Sequence, residues 1–127
     1  MKTSSAKAKG RKLQQIVRDK VLEHFPKLKP DDVRSTPMGV TGSDLMLSPM
    51  AQDIFPFKVE CKNNKAIAVY RHFEQASAGC PPWLNPLVVI KENNAKPLAI
   101  VDLDLFMFLL RENYVNQELR KERERGL

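Results

Sequence analysis

Apolar residues recur along the chain first at helical and then at strand spacing. In residues 11–25 they fall at Leu13, Ile16, Val17, Val21, Leu22 and Phe25. This i, i+3, i+4 pattern predicts an amphipathic helix, stopped by Pro26 and Pro30. Residues 33–36 read as a short strand, and Gly39 and Gly42 mark 37–43 as a turn or loop. Residues 45–47 and 57–61 read as two further strands, joined by a loop over 48–56. A second helix is predicted over 65–78 from Ala66, Val69, Tyr70, Phe73 and Ala76, and Gly79-Cys-Pro-Pro82 ends it. Two apolar runs, 87–90 and 98–101, have hairpin-like spacing, and 103–110 opens a last helix. The order α-β-β-β-α-β-β-α predicts one small α/β domain with a mixed central sheet flanked by helices.

Composition narrows the class. The 127 residues are 43% hydrophobic, enough for a single core. The most apolar run, 98–110, carries Asp102 and Asp104 and is too short to span a bilayer. The opening MKTSSAKAKGRK lacks the apolar centre of a secretory signal. Cys61 and Cys80 form neither a disulfide framework nor a zinc spacing, so a reducing cytoplasm is expected. Residues 1–20 carry seven lysines and arginines against one aspartate, so the whole formal excess of +6 lies there. Residues 1–10 are read as a flexible basic arm, 11–112 as the domain, and 113–127 as a charged helix or tail. A basic segment beside a neutral body points to a polyanion partner, with a solubilising tail as the plain alternative.

The candidate chemistry begins at Phe57-Lys-Val-Glu-Cys-Lys62. Strand alternation puts Phe57, Val59 and Cys61 on one face and Lys58, Glu60 and Lys62 on the other. A solvated outer face explains Glu60 and Lys62 taken alone. Asp44, sixteen residues before Glu60 and following Gly42-Ser43, changes the balance. If the two strands are neighbours, the carboxylates converge on one sheet edge, with Lys62 one pleat away. Paired carboxylates suit a hard cation such as Mg²⁺, with Mn²⁺ as a substitute. Gly42 would let the backbone approach a phosphate. No phosphate-binding glycine loop or Ser/His/Asp set competes. His24 and His72 stand alone as surface or packing residues, and Asp102 and Asp104 read as helix caps. Leu13, Val17 and Val21 bracket Gln14 on the helical wheel, so Gln14 points inward and Gln15 outward.

Asp44 followed by Glu60-Cys61-Lys62 resembles the D…(D/E)-X-K signature of the PD-(D/E)XK nuclease superfamily. Gly10-Arg-Lys-Leu-Gln14, Val33-Arg-Ser35, Gly42-Ser-Asp44, Val59-Glu-Cys-Lys-Asn63 and Glu74-Gln-Ala76 are similar to small Holliday junction resolvases of archaea and bacteriophages, over roughly residues 10–110. The resemblance implies a restriction-endonuclease-like core, with Asp44 and Glu60 holding the metal. It also implies the Cys61 carbonyl as a backbone ligand and Lys62 as an aid to catalysis. Archaeal members carry an acidic residue where Gln14 stands. A neutral amide there implies a one-metal-dominant or weaker enzyme. The analogy would put a glutamine of the second helix near the site, whereas the wheel sets Gln75 opposite the apolar stripe.

The expected activity is hydrolytic, metal-dependent cleavage of branched DNA, most of all four-way junctions. Two-fold junction symmetry calls for a homodimer, with the exposed part of the second helix and the surroundings of Trp83, Leu84, Phe106 and Phe108 as candidate surfaces. Lys9, Arg11, Lys12 and Arg34 are assigned to phosphates and Ser35 to the scissile strand, with shape read rather than base sequence. The expected location is the cytoplasm, a host's if the chain is phage-encoded. Rival expectations are a same-fold nuclease for flaps or duplex, a catalytically weak DNA-binding accessory protein, and an RNA-binding module, the last lacking an aromatic platform.

Overall fold

A computed structural model of the chain describes residues 3–37, 40, 42–64 and 67–126. Lys2 of the basic segment, Gly39 of the expected turn, and Lys65 and Ala66 of the expected second helix lie outside the described residues. The elements run α1 (Thr3–His24), a 3₁₀ turn (Pro30–Asp32), β1 (Val33–Ser35), β2 (Leu45–Leu47), α2 (Pro49–Ile54), β3 (Phe57–Lys62), α3 (Val69–Ser77), β4 (Asn85–Ile90), β5 (Leu98–Ile100) and α4 (Leu103–Glu124).

The strands form two sheets. β1 and β2 pair as an antiparallel ribbon. β3, β4 and β5 form a mixed sheet, parallel between β3 and β4 and antiparallel between β4 and β5. The α1 side of the mixed sheet carries the main core, where Leu13, Val17 and Val21 meet Val33, Leu45, Val59, Cys61, Leu87 and Val89. Its other side carries Glu60 level with Val88 and Ile100, and α3 packs there, burying Ala76. The result is a small mixed α/β domain whose sheet lies between helices.

Several expectations need correction. The arm expected at 1–10 is helical from Thr3. Ala6, Lys7, Ala8 and Lys9 are strong helix formers, and the single Gly10 costs only about 1 kcal/mol against alanine. The loop expected over 48–56 contains α2. Ser48 caps it by accepting from the Ala51 N–H at 3.1 Å, and Pro49 occupies the first turn, where its missing N–H is no loss. The boundary expected at 112/113 falls inside α4, which runs unbroken to Glu124. Asp102 does cap that helix, accepting from the Leu105 N–H at 2.9 Å, with Asp104 in its first turn. Tyr70, expected on the inner stripe of the second helix, is 88% exposed. The helix is anchored instead through Ala76 and by its C-terminal end.

Ser48 also donates to Asp32 Oδ1 at 2.7 Å, tying α2 to the 3₁₀ turn. Ser48→Ala is expected to lower stability by about 1 kcal/mol, and Leu13→Ala, fully buried in α1, by about 2–5 kcal/mol. Urea denaturation followed by circular dichroism measures both.

Candidate active site at the edge of the mixed sheet

Asp44 sits at the end of β2 where the ribbon meets the mixed sheet. Its N–H donates to the Val59 carbonyl at 2.9 Å, and its own carbonyl accepts from the Thr36 N–H at 2.9 Å. Its carboxylate Oδ2 accepts from the Cys61 N–H at 2.6 Å. Asp44 is therefore held from both sides, by β1 and by β3. Thr36 is itself buried and donates its hydroxyl to the Ser43 carbonyl, which fixes the approach to Asp44. Just upstream, Gly42 has φ +116°, a conformation that favours glycine. No heavy atom lies within 4 Å of where its Cβ would be, so its backbone geometry, not crowding, selects it.

Glu60 and Lys62 project from β3 on the side away from the main core, as alternation predicts. The Glu60 carboxyl is raised above the ordinary carboxylate range, first by burial and then by the neighbouring Asp44 charge, which Lys62 and Lys58 only partly offset. A side-chain hydrogen bond to Asp44 also favours its protonated form. Asp44, at the bend before β2, is bonded to the residues on either side of Glu60, so the two acids are neighbours where the ribbon joins the mixed sheet. Lys62 lines two adjoining cavities. One, of about 360 Å³, is shared with Gln14, Thr36, Asp44, Cys61 and Asn63. The other, of about 520 Å³, is shared with Gly42, Glu60, Lys58 and Gln75. Among the described residues, the Lys62 ammonium makes no hydrogen bond or ion pair.

Gln14 is buried, as its wheel position predicts, and its Oε1 has no hydrogen-bond partner among the described residues. Buried carbonyl oxygens are ordinarily paired, and Gln14 lines a cavity with Asp44 and Lys62. Gln15 is outside and donates to Ser35 Oγ at 3.2 Å. Within one strand residue the N–H and C=O leave by the same edge. The Cys61 N–H points to Asp44, so its carbonyl emerges on the site edge too. Burial, followed by the Asp44 and Glu60 charges, pushes the Cys61 thiol up, so it stays protonated and is no nucleophile. Among the described residues, no three His, Cys, Asp or Glu side chains gather into a metal cluster. The oxygen atoms near this edge belong to two carboxyls, the Gln14 amide and the Cys61 backbone carbonyl.

Lys58 makes a structural contact that the sequence pattern left unassigned. Its ammonium donates to the Ala78 carbonyl at 2.8 Å and to the Ala76 carbonyl at 3.2 Å. A cation at the C-terminal end of α3 satisfies carbonyls the helix leaves open. Gln75 is exposed, off the face that buries Ala76 as the wheel sets it, and from there lines the Glu60 cavity. Gln75 Oε1 accepts from His72 Nδ1 at 3.2 Å in the imidazole tautomer that carries its proton there.

The assigned DNA contacts divide. Lys9 and Lys12 line a cleft of about 420 Å³ with Lys91, Asn93 and Asn94, and Asn63 joins it to the Asp44 cavity. Lys9 Nζ donates to Asn93 Oδ1 at 2.8 Å. Arg11 and Arg34 are exposed but line neither site cavity, and Ser35 is half-buried under Gln15.

Because the Asp44 charge adds to burial in raising the Glu60 carboxyl, Asp44→Asn should bring it part of the way back toward its ordinary range, with burial as the remaining cause. Carbon-detected NMR titration of the carboxyl resonances measures this. The raised value also has a stability consequence: Glu60 contributes stability below its unfolded-state pKa that is lost as pH rises through its folded-state pKa.

Searches of protein-family models, curated proteins and solved structures found no match to this chain.

Proposed function

We propose that the chain is a metal-dependent endodeoxyribonuclease for branched DNA, four-way junctions foremost, built on a restriction-endonuclease-like core. One observation carries the reading: Asp44 is bonded to β3 on both sides of Glu60, and Lys62 of the same strand, without an ion pair among the described residues, lines the cavity of each acid. Side by side, Asp44 and Glu60 repel when both ionise, and a divalent cation relieves that repulsion. Asp44, Glu60 and the Cys61 carbonyl would hold Mg²⁺ or Mn²⁺, with the Gln14 Oε1 on the same side. When bound, the cation would polarise a phosphate oxygen and offset the charge that develops on it.

The chain's own groups supply the rest. Lys62 stabilises negative charge growing on the attacked phosphate. The bond from the Cys61 N–H holds the Asp44 carboxylate in a fixed rotamer, so little reorganisation is left for binding. Lys9, Lys12 and Lys91 neutralise backbone phosphates leading to the edge. A four-way junction offers two equivalent strands, and a two-fold dimer would present two such edges. A flap or duplex nuclease shares this chemistry, and competition of those substrates against a junction distinguishes them. A non-catalytic DNA-binding protein is favoured only by the neutral Gln14, and it would show no carboxylate-dependent uptake of Mg²⁺.

Nicking of a synthetic junction in Mg²⁺ is the expected activity. Asp44→Asn, Glu60→Gln and Lys62→Ala should each reduce it by roughly 10²-fold or more, with unchanged circular dichroism. Full activity in EDTA, or in the Glu60 variant, would remove these residues from the mechanism. Lys12→Ala should weaken junction binding by a similar factor for every sequence and reduce the salt slope by about one, as fluorescence anisotropy across a salt series measures.

A further inference from the structure

A further cavity, of about 550 Å³, lies on the α1 side of the mixed sheet, between α1 and the β4–β5 hairpin. It shares no lining residue with the two cavities at Asp44 and Glu60. Its floor is the core itself: Val17 and Val21 of α1 and Leu87 and Val89 of β4, all buried. Phe25 and Phe55 line it too, their rings tilted at 53° with centres 6.4 Å apart. Its outer lip is β5, where Leu98 is 58% exposed and Ala99 is open to solvent. The polar groups that line it are Lys20 and His24 from α1 and Lys96 from the hairpin, all exposed, with no acid among them. Among the described residues, neither lysine is in an ion pair. An apolar wall with a few placed polar groups, at this volume, is the usual form of a small-ligand site.

We propose that this cavity binds an amphiphilic carboxylate, its alkyl chain against Val17, Val21, Leu87 and Val89 and its head group between Lys20 and Lys96. Length supports it. The cavity follows α1 from Ile16 to Phe25, nine residues on, or about 13 Å at the helical rise. With C–C bonds of about 1.5 Å, an extended chain of about ten carbons has that length. Charge selects the head group. Lysines on two walls of one mouth, with no acid between them, attract an anion and repel a cation. The floor selects the tail. A sugar or nucleotide would leave hydroxyls unpaired against the valines, whereas each methylene moved from water to that wall tightens binding about fourfold.

This site goes beyond the nuclease reading, and its test involves no DNA. Isothermal titration calorimetry of the full chain should show decanoate taken up at one site per chain, and octanoate bound about 15-fold more weakly. Ala99→Trp, which adds a ring at the exposed lip, should weaken decanoate by roughly tenfold or more. Lys20→Glu combined with Lys96→Glu should weaken decanoate by a similar factor and tighten decylammonium. Both variants should keep the circular dichroism of the unaltered chain. Four results would overturn the proposal: no saturable uptake of decanoate, decanol or decylammonium bound as tightly as decanoate, uptake that either variant leaves unchanged, or uptake that appears only once Phe106→Glu and Met107→Glu remove exposed apolar surface from α4. The last would make α4, of the same or another copy, the occupant. An inactive protein that binds decanoate would refute the proposed function and leave this site standing.

Discussion

The structure turns on how Asp44 joins its two sheets. Its N–H reaches Val59 and its carboxylate reaches the Cys61 N–H, so one residue bonds to the mixed sheet twice. Its carbonyl meanwhile holds the neighbouring ribbon through Thr36. Few positions could carry this load. The residue must bring an acceptor on a short side chain to an exposed strand edge, and Asp does so at little entropic cost. Everything proposed about chemistry follows from the same placement, because the hook that joins the sheets also presses a second acid against Glu60.

That arrangement is electrostatically uneasy in the protein alone. Burial and the Asp44 charge both disfavour an ionised Glu60, and the buried Gln14 oxygen, which shares a cavity with Asp44, has no donor among the described residues. Lysines close to such a pair would ordinarily neutralise it. Here Lys58 is committed to the carbonyls at the end of α3, which leaves Lys62 as the ammonium at the edge. A perturbed carboxyl in a cleft beside a second acid is the kind of arrangement on which the proposed function rests. The same lysine commitment seats the end of α3 beside the cavity that Glu60 lines, so structural and proposed catalytic roles are shared along one short strand.

How much of this could be read from the letters varies by interaction range. The inward turn of Gln14 and the outward turn of Gln15 follow from helical spacing, as does the cap at Asp102. The alternation along β3 separates Val59 and Cys61 from Glu60 and Lys62 just as the pleat requires. The short α2 was written in Ser48-Pro49, a cap followed by a first-turn proline, but its six residues are too few to show a period. Tyr70 was misplaced because an apolar stripe predicts a packed face only where something packs on it. α3 is held at its far end by Lys58, a tertiary contact that no local pattern encodes. The split into a ribbon and a separate mixed sheet was likewise not legible, since pairing partners depend on contacts distant in sequence. The length of α4 was obscured by its mixed charges, which suit a solvated helix as well as a tail.

The central claim is that Asp44 and Glu60 are two hands on one ion. A crystal soaked in Mn²⁺ tests it most directly through anomalous scattering. The account predicts a single strong peak bridging the two carboxylates, within bonding distance of the Cys61 carbonyl. A crystal with no peak there, or with manganese bound only at other acidic residues, would contradict it.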